Sequence, residues 1–304
     1  MNLLWLMRWK EAQMISRSDV LHPPMTGARR LLAVFIAGFT FASQTYSVSA
    51  TTLDEAKLGG VIIAIANEPP WMKLDPDGTP SGLGPERDQA ILQEVGVTKF
   101  TGQMMEFGAM IPAIQSKRAT LSSSGALFVR PERCQAVVFS NPVSCGGEAF
   151  ILPAALVGKV NSYRDVAEQS LKIGVCGGCT QQKLSIAAGV KAGNIVIFPD
   201  GTSGMKLLAD KRIDLLAHDT ATAAELQKRL SSPAVTQIIH VTDTKLSCAA
   251  AAFSKDSVEL RDAYNVGLRK IIASGKYMEI MKKYGREDGA DGIDKVTTEQ
   301  LCTN

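Results

Sequence analysis

The sequence predicts an α/β fold in two lobes, and three observations carry that expectation. Apolar runs such as Val61-Ile62-Ile63-Ala64-Ile65 are continuous, as expected of strands buried on both faces. Such runs alternate with helix-length segments, which is the order of units in mainly parallel sheets. The alternation then restarts after Pro142 as a complete second block, inserted into the first.

The 304-residue chain opens with a segment that reads as separate from the fold. Arg29-Arg30 precede an apolar run, Leu31 to Ala42, and Val48-Ser49-Ala50 supplies small residues for cleavage after Ala50. This is the layout of a secretory signal, with an apolar stretch too short to span a bilayer. Met25 is a more natural start for it than Met1, and no cysteine follows the run to carry a lipid anchor. Residues 1–50 are therefore expected to be removed, leaving an exported, soluble protein of about 254 residues, enough for two lobes.

In the remaining chain a turn-rich stretch, Asp75 to Gly84, leads to a helix over 85–95. A strand at 100–104, a helix at 108–116, and strands at 121–123 and 136–139 follow. The second block reads as strand 172–175, helix 180–188, strand 195–198, helix 203–209, strand 213–216, helix 220–230 and strand 235–241. Helices return at 258–274 and 276–284, and a polar tail follows Gly285. Glu148–Leu152 and Cys248–Phe253 read as the connections between halves. The expected lobes are 51–149 with 250–304, and 150–249.

Residues 1–50 carry five of the 33 basic and two of the 30 acidic residues, so the rest holds 28 of each. A chain without net charge has no global field to draw in nucleic acid or a membrane surface. All six cysteines follow residue 50, and an even count in an exported chain favours disulfides. Cys248 with Cys302 would tie down the tail, and Cys134 with Cys145 would staple a short loop. Cys176-Gly-Gly-Cys179 has the spacing of a redox motif but lacks its usual βαβ context, and no Cys/His partners make it a zinc site. A structural disulfide is the favoured reading.

Ligands of α/β lobes bind beyond the carboxyl ends of the strands, and the residues that could bind one sit there. Glu68-Pro69-Pro70-Trp71 follows the first strand, and Trp71 is the sole tryptophan beyond residue 50. Phe107 lies between a strand and a helix. Phe128 stands five residues before Arg133, and Pro131 between them suits a first helical position, so Arg133 falls in a helical first turn that favours a carboxylate. Gly177-Gly178 allow close backbone approach, and Thr180 offers a hydroxyl at a helix start. Asp219 follows a buried strand. Each also has a plainer reading: Trp71, Phe107 and Phe128 as core, Arg133 as a surface helix residue, Thr180 and Asp219 as helix caps, and His218 as structural.

Assembled, these residues resemble the periplasmic solute-binding proteins of the polar amino-acid ABC-importer family (family 3), over roughly residues 58–285. The marks are Ile111-Pro112-Ala113-Ile114 with Lys117, Val129-Arg130-Pro131-Glu132-Arg133, Phe139-Ser140-Asn141-Pro142, and Arg212-Ile213-Asp214 with Asp219. The resemblance implies a type II binding-protein fold with a ligand cleft between lobes joined by two hinge strands. It also implies a monomer without cofactor, metal or catalysis, handing a small zwitterion to permease subunits in the inner membrane. In that family Arg133 would hold the ligand carboxylate, Thr180 would support it, and Asp219 would hold an ammonium.

Within the family, Ala66-Asn67-Glu68-Pro69-Pro70, Glu106-Phe107-Gly108-Ala109-Met110 and Pro131-Glu132-Arg133-Cys134 are similar to ectoine/5-hydroxyectoine-binding proteins, as are Glu148-Ala149-Phe150 and Pro199-Asp200-Gly201. That likeness implies an aromatic box of Trp71, Phe107 and Phe128 around a cationic ring, with Glu68 on its amidinium and Arg133 on its carboxylate. Asp219 keeps a polar or cationic amino acid as the alternative ligand. A dehydratase-like enzyme on the same fold is the second alternative. It would need an acid–base pair, for which Glu68, or His218 with Asp219, are the candidates.

Overall fold

The computed structural model describes residues 52–231 and 235–303. The expected signal segment and its cleavage point lie outside the described residues.

Two five-stranded sheets organise the chain, each covered by helices. The first has the order Phe100–Met104, Val61–Ile65, Leu121–Ser122, Ala252–Phe253, Val138–Phe139. The second has the order Ile195–Phe198, Ile173–Cys176, Leu215–Asp219, Glu148–Pro153, Thr236–His240. The helices stand close to where periodicity puts them, for example Phe107–Gln115, Thr180–Ala187 and Thr220–Leu230.

The sheets are mixed rather than mainly parallel. In the first, Val61–Ile65 pairs in parallel with both neighbours, whereas Ala252–Phe253 pairs antiparallel with both of its own. In the second, Ile173–Cys176 pairs in parallel on both sides, and Glu148–Pro153 antiparallel on both sides. The antiparallel strands are the segments that carry the chain from one sheet to the other, so they enter against the local direction.

Glu148–Pro153 is accordingly a strand of the second sheet and not a connection. Five of its six residues, Glu148 among them, are buried, as expected of a strand with neighbours on both sides. The link between lobes is an antiparallel ladder of Ser144–Gly146 with Ser247–Ala249. Its register sets Cys145 opposite Cys248, and these two form a disulfide.

That register overturns both expected cysteine pairings. With Cys145 and Cys248 committed to each other, Cys302 on the final helix Thr298–Thr303 pairs with Cys134 at the end of helix Pro131–Cys134. Sequence separations of 103 and 168 make both bridges long-range staples, each removing about 4–5 kcal/mol of unfolded-chain entropy in a loop-closure picture. Cys176 and Cys179 form the third disulfide.

A buried polar network supports the first lobe beneath the site. Asp88, fully buried on helix Leu83–Gln93, accepts from Ser123 Oγ, the Ser124 amide and Tyr264 Oη. Arg87 beside it donates to Ser124 Oγ and the Val143 carbonyl. Each buried charge has several partners, which is the condition for retaining it. Together they anchor the turn that carries Gly125 and Ala126 to the cavity wall.

Candidate ligand-binding site

One cavity between the lobes is lined by Glu68, Trp71, Phe107, Phe128, Arg133, Thr180 and Asp219, with Gln181, His218, Arg286 and others. The first lobe supplies its aromatic side. Trp71 rides on a tight loop in which Glu68 and Met72 exchange backbone hydrogen bonds. The amides of Leu83 and Gly84, at the start of their helix, donate to the carbonyls of Pro70 and Trp71 and fix that loop. Gly82, at φ +101°, is required there, since a Cβ would fall 2.7 Å from both carbonyl oxygens. Phe107 is the first residue of its helix. Phe128 bridges to Ala249, so the hinge ladder sets its position.

Arg133 is 6% exposed and its guanidinium donates to two carbonyl oxygens, Phe128 O at 2.9 Å and Gly178 O at 3.1 Å. Burial, with Arg130 nearby, pushes it down to about 10, so it stays charged at neutral pH. A buried cation whose bonds go to carbonyls rather than a carboxylate favours an incoming anion. Gly178 comes from the second lobe. At φ +75° its α-carbon packs against Gly108, where a Cβ would lie 2.5 Å from the Gly108 Cα.

Thr180 stands inside its helix, with Cys179 at the capping position, and makes no capping bond. Its Oγ1 is buried and has no hydrogen-bond partner among the described residues; the same holds for Trp71 Nε1 and His218 Nε2. Unsatisfied polar atoms inside a protein are rare, and several lining one cavity point to a ligand-binding surface.

Glu68 is buried, and its Oε1 accepts the Gly201 amide of the second lobe at 2.9 Å. Burial raises its pKa, against the pull of His218 and that amide. Asp219 ends the strand Leu215–Asp219 and caps the helix Thr220–Leu230, accepting from the amides of Ala221 and Thr222 through Oδ1. Its Oδ2 lies 2.8 Å from His218 Nδ1. Burial works against its ionisation, but the bond and charge of His218 outweigh that and hold its carboxyl well below the usual range. For His218 burial likewise opposes the charge and Asp219 wins, raising it to about 8. Glu148, held by Gln181 at 2.7 Å, is pushed up to about 7 by burial.

The structure thus brings together all seven residues singled out from the sequence. It adds others that sequence reasoning missed. His218, read from the sequence as structural, forms part of the cavity wall. Arg286 lies with its guanidinium 5.2 Å from the Trp71 ring centroid, and Arg130 sits 5.7 Å from that of Phe128. Nothing in the sequence near Arg286 signals this contact, because more than 200 residues separate it from Trp71. Gln181, directly after Thr180, was legible as a first-turn residue of a ligand-facing helix.

The sequence pattern of the bacterial extracellular solute-binding proteins, family 3, matches residues 61–287. The chain belongs to that family. It is 32% identical over 288 residues to a "Probable amino-acid ABC transporter periplasmic-binding protein" of Sinorhizobium fredii, covering 91% of this chain and 94% of that one. It is 26% identical over 228 residues to the L-arginine-binding protein of Pseudomonas aeruginosa, covering 71% and 83%. The crystal structure of EhuB in complex with hydroxyectoine is similar at a TM-score of 0.76 and 38% identity, over 82% of this chain and 97% of that one. This family-3 protein is therefore a substrate-binding component of an amino-acid-type ABC importer, with a type II binding-protein fold. No helix among its described residues is long and apolar enough to cross a membrane.

Proposed function

We propose that this family-3 protein captures ectoine or 5-hydroxyectoine outside the cytoplasmic membrane and delivers it to the permease subunits of its importer. The observation that carries this reading is the convergence of Trp71, Phe107 and Phe128 with the buried Glu68 and Arg133 on one cavity. A delocalised amidinium is weakly hydrated and gains about 0.5–2 kcal/mol per aromatic face. Glu68 then supplies its counter-charge, and Arg133 takes the carboxylate at the other end. Micromolar affinity needs about 8 kcal/mol in total; three faces at the upper end give about 6, and the buried carboxylate clamp has to contribute the remaining roughly 2 kcal/mol or more. The likeness to EhuB supports the same ligand class.

A polar or cationic amino acid is the second reading, favoured by Asp219 on the cavity wall and by the arginine-binding relative. Both Asp219 oxygens are engaged, one by the helix amides and one by His218. An α-ammonium would have to compete with His218 for it. Calorimetric titration with ectoine, 5-hydroxyectoine, L-arginine and L-glutamine separates the two readings. Recovery of the ligand unchanged after long incubation, checked by mass spectrometry, separates binding from turnover by the His218–Asp219 pair.

A further inference from the structure

His218 is the one histidine among the described residues that line the cavity, and three carboxyl groups face its imidazole. Asp219 comes from its own strand, with Oδ2 2.8 Å from Nδ1. Glu68 comes from the loop after the first strand of the other lobe, with Oε1 3.9 Å from Nε2. Glu148 belongs to the neighbouring antiparallel strand, where it pairs in register with Asp219. On the cationic side, Arg130 acts on Glu148, and Arg133 and Arg286 line the same cavity. Nε2 is buried and has no hydrogen-bond partner among the described residues, and it faces the carboxylate assigned above to the ligand's cation.

Carboxylates gathered in a place with little water do not remain ionised together without a cation. Protonated His218 is placed to be that cation for Asp219 and Glu68. The ligand's own cation, docking on Glu68, would stand against the same edge of the ring. Two like charges at that spacing disfavour each other, and the imidazole is the partner that can give up its charge.

We propose that protonated His218 is the resident counter-ion of the cation subsite, and that ligand binding replaces it by driving the Nε2 proton out to solvent. This rests on the reading that a cationic ligand group docks at Glu68. It makes capture proton-linked: affinity rises with pH while His218 is protonated in the free protein, and levels off once the ring is neutral. Linkage limits the rise to about tenfold in Kd per pH unit, the value for one proton released.

Titrating ectoine, and in parallel L-arginine, at pH 7 in two buffers of very different ionisation enthalpy reads the released proton directly. The expected result is a buffer-dependent enthalpy corresponding to as much as one proton, no buffer dependence at pH 9, and a Kd that tightens from pH 6 to 8. His218→Gln should bind either probe with a pH-independent Kd and release no proton. A pH-independent affinity of the unaltered protein, or proton release that persists in His218→Gln, overturns the proposal.

Imidazole NMR of the unliganded protein is independent of ligand identity and of whether the variant folds. The chain has three histidines, His22, His218 and His240, so His22→Gln and His240→Gln assign the signals. His218 should titrate above the ordinary histidine value of about 6.5, and at a lower pH once ligand is bound. Titration at or below that ordinary value overturns the proposal. If neither ectoine nor L-arginine binds, the ligand reading fails on its own, and the titration of the free protein still decides the role of His218.

Discussion

Arg133 reaches from the first lobe to the second and donates to the carbonyl oxygen of Gly178 over 3.1 Å. The residue assigned to the ligand carboxylate is therefore also a tie between the lobes. Glu68, assigned to the other end of the ligand, makes a second tie through the Gly201 amide. Lys183 and Glu132 add an exposed ion pair between the lobes at the rim. In the proposed reading, ligand binding and contact between the lobes draw on the same two side chains.

Arg133→Ala should abolish binding of carboxylate ligands, a loss of at least about 2–5 kcal/mol for truncating one partner of a buried charge pair. The fold should survive, because removing a buried cation also removes its desolvation cost. Calorimetry and a thermal melt check the two halves. Retained affinity would refute the clamp.

Gly178→Ala tests the close approach of the lobes. The position has φ +75°, and a Cβ would lie 2.5 Å from the Gly108 Cα, so backbone would have to move. The expected outcome is a Kd weakened about tenfold or more, about 1.4 kcal/mol or more, through impaired closure. Small-angle scattering with saturating ligand should show a larger radius of gyration than for the unaltered protein. An unchanged Kd would mean that this contact contributes nothing to closure.

Trp71 should report the ligand. Its indole lines the cavity with Nε1 buried and unpartnered among the described residues, and Arg286 stacks on the ring. Ligand should change its emission, and Trp71→Phe should remove the response while weakening affinity by about 0.5–2 kcal/mol, the value of one cation–π face. A response that persists in Trp71→Phe would place the signal elsewhere.

Much of this was legible in the sequence because it is local. Period and length reveal Val61–Ile65 and Thr220–Leu230, and the short span from Phe128 through Pro131 to Arg133 explains how a ring and a guanidinium reach one cavity. What stayed hidden depends on long-range register. The pairing of Cys145 with Cys248 follows from one antiparallel ladder, and Glu148–Pro153 reads as a link until its two antiparallel neighbours are known. His218 looked structural because its partners Glu68 and Glu148 come from segments 150 and 70 positions away. Arg286 carries no local pattern at all.

Stability should fall as pH rises through neutrality. Glu148, raised from 4.5 to about 7, and His218, raised from 6.5 to about 8, both hold protons more tightly in the folded state than in the unfolded chain. The stability each confers is fully present below its unfolded value and is lost as pH rises through its folded one. The windows are therefore 4.5 to about 7 for Glu148 and 6.5 to about 8 for His218. Melting temperature should drop between pH 5 and 8.5, on the order of a few degrees, and Glu148→Gln should flatten the lower part of that slope. A melting temperature that rises across this range would contradict the sign.

In the proposed reading the cavity takes a ring-shaped cation carrying a carboxylate. Side-by-side calorimetric titration with ectoine and L-arginine tests it most directly. Micromolar or tighter binding of ectoine, with L-arginine at least about a hundredfold weaker (about 2.7 kcal/mol), is the predicted result. Tight binding of L-arginine with no heat from ectoine would contradict it.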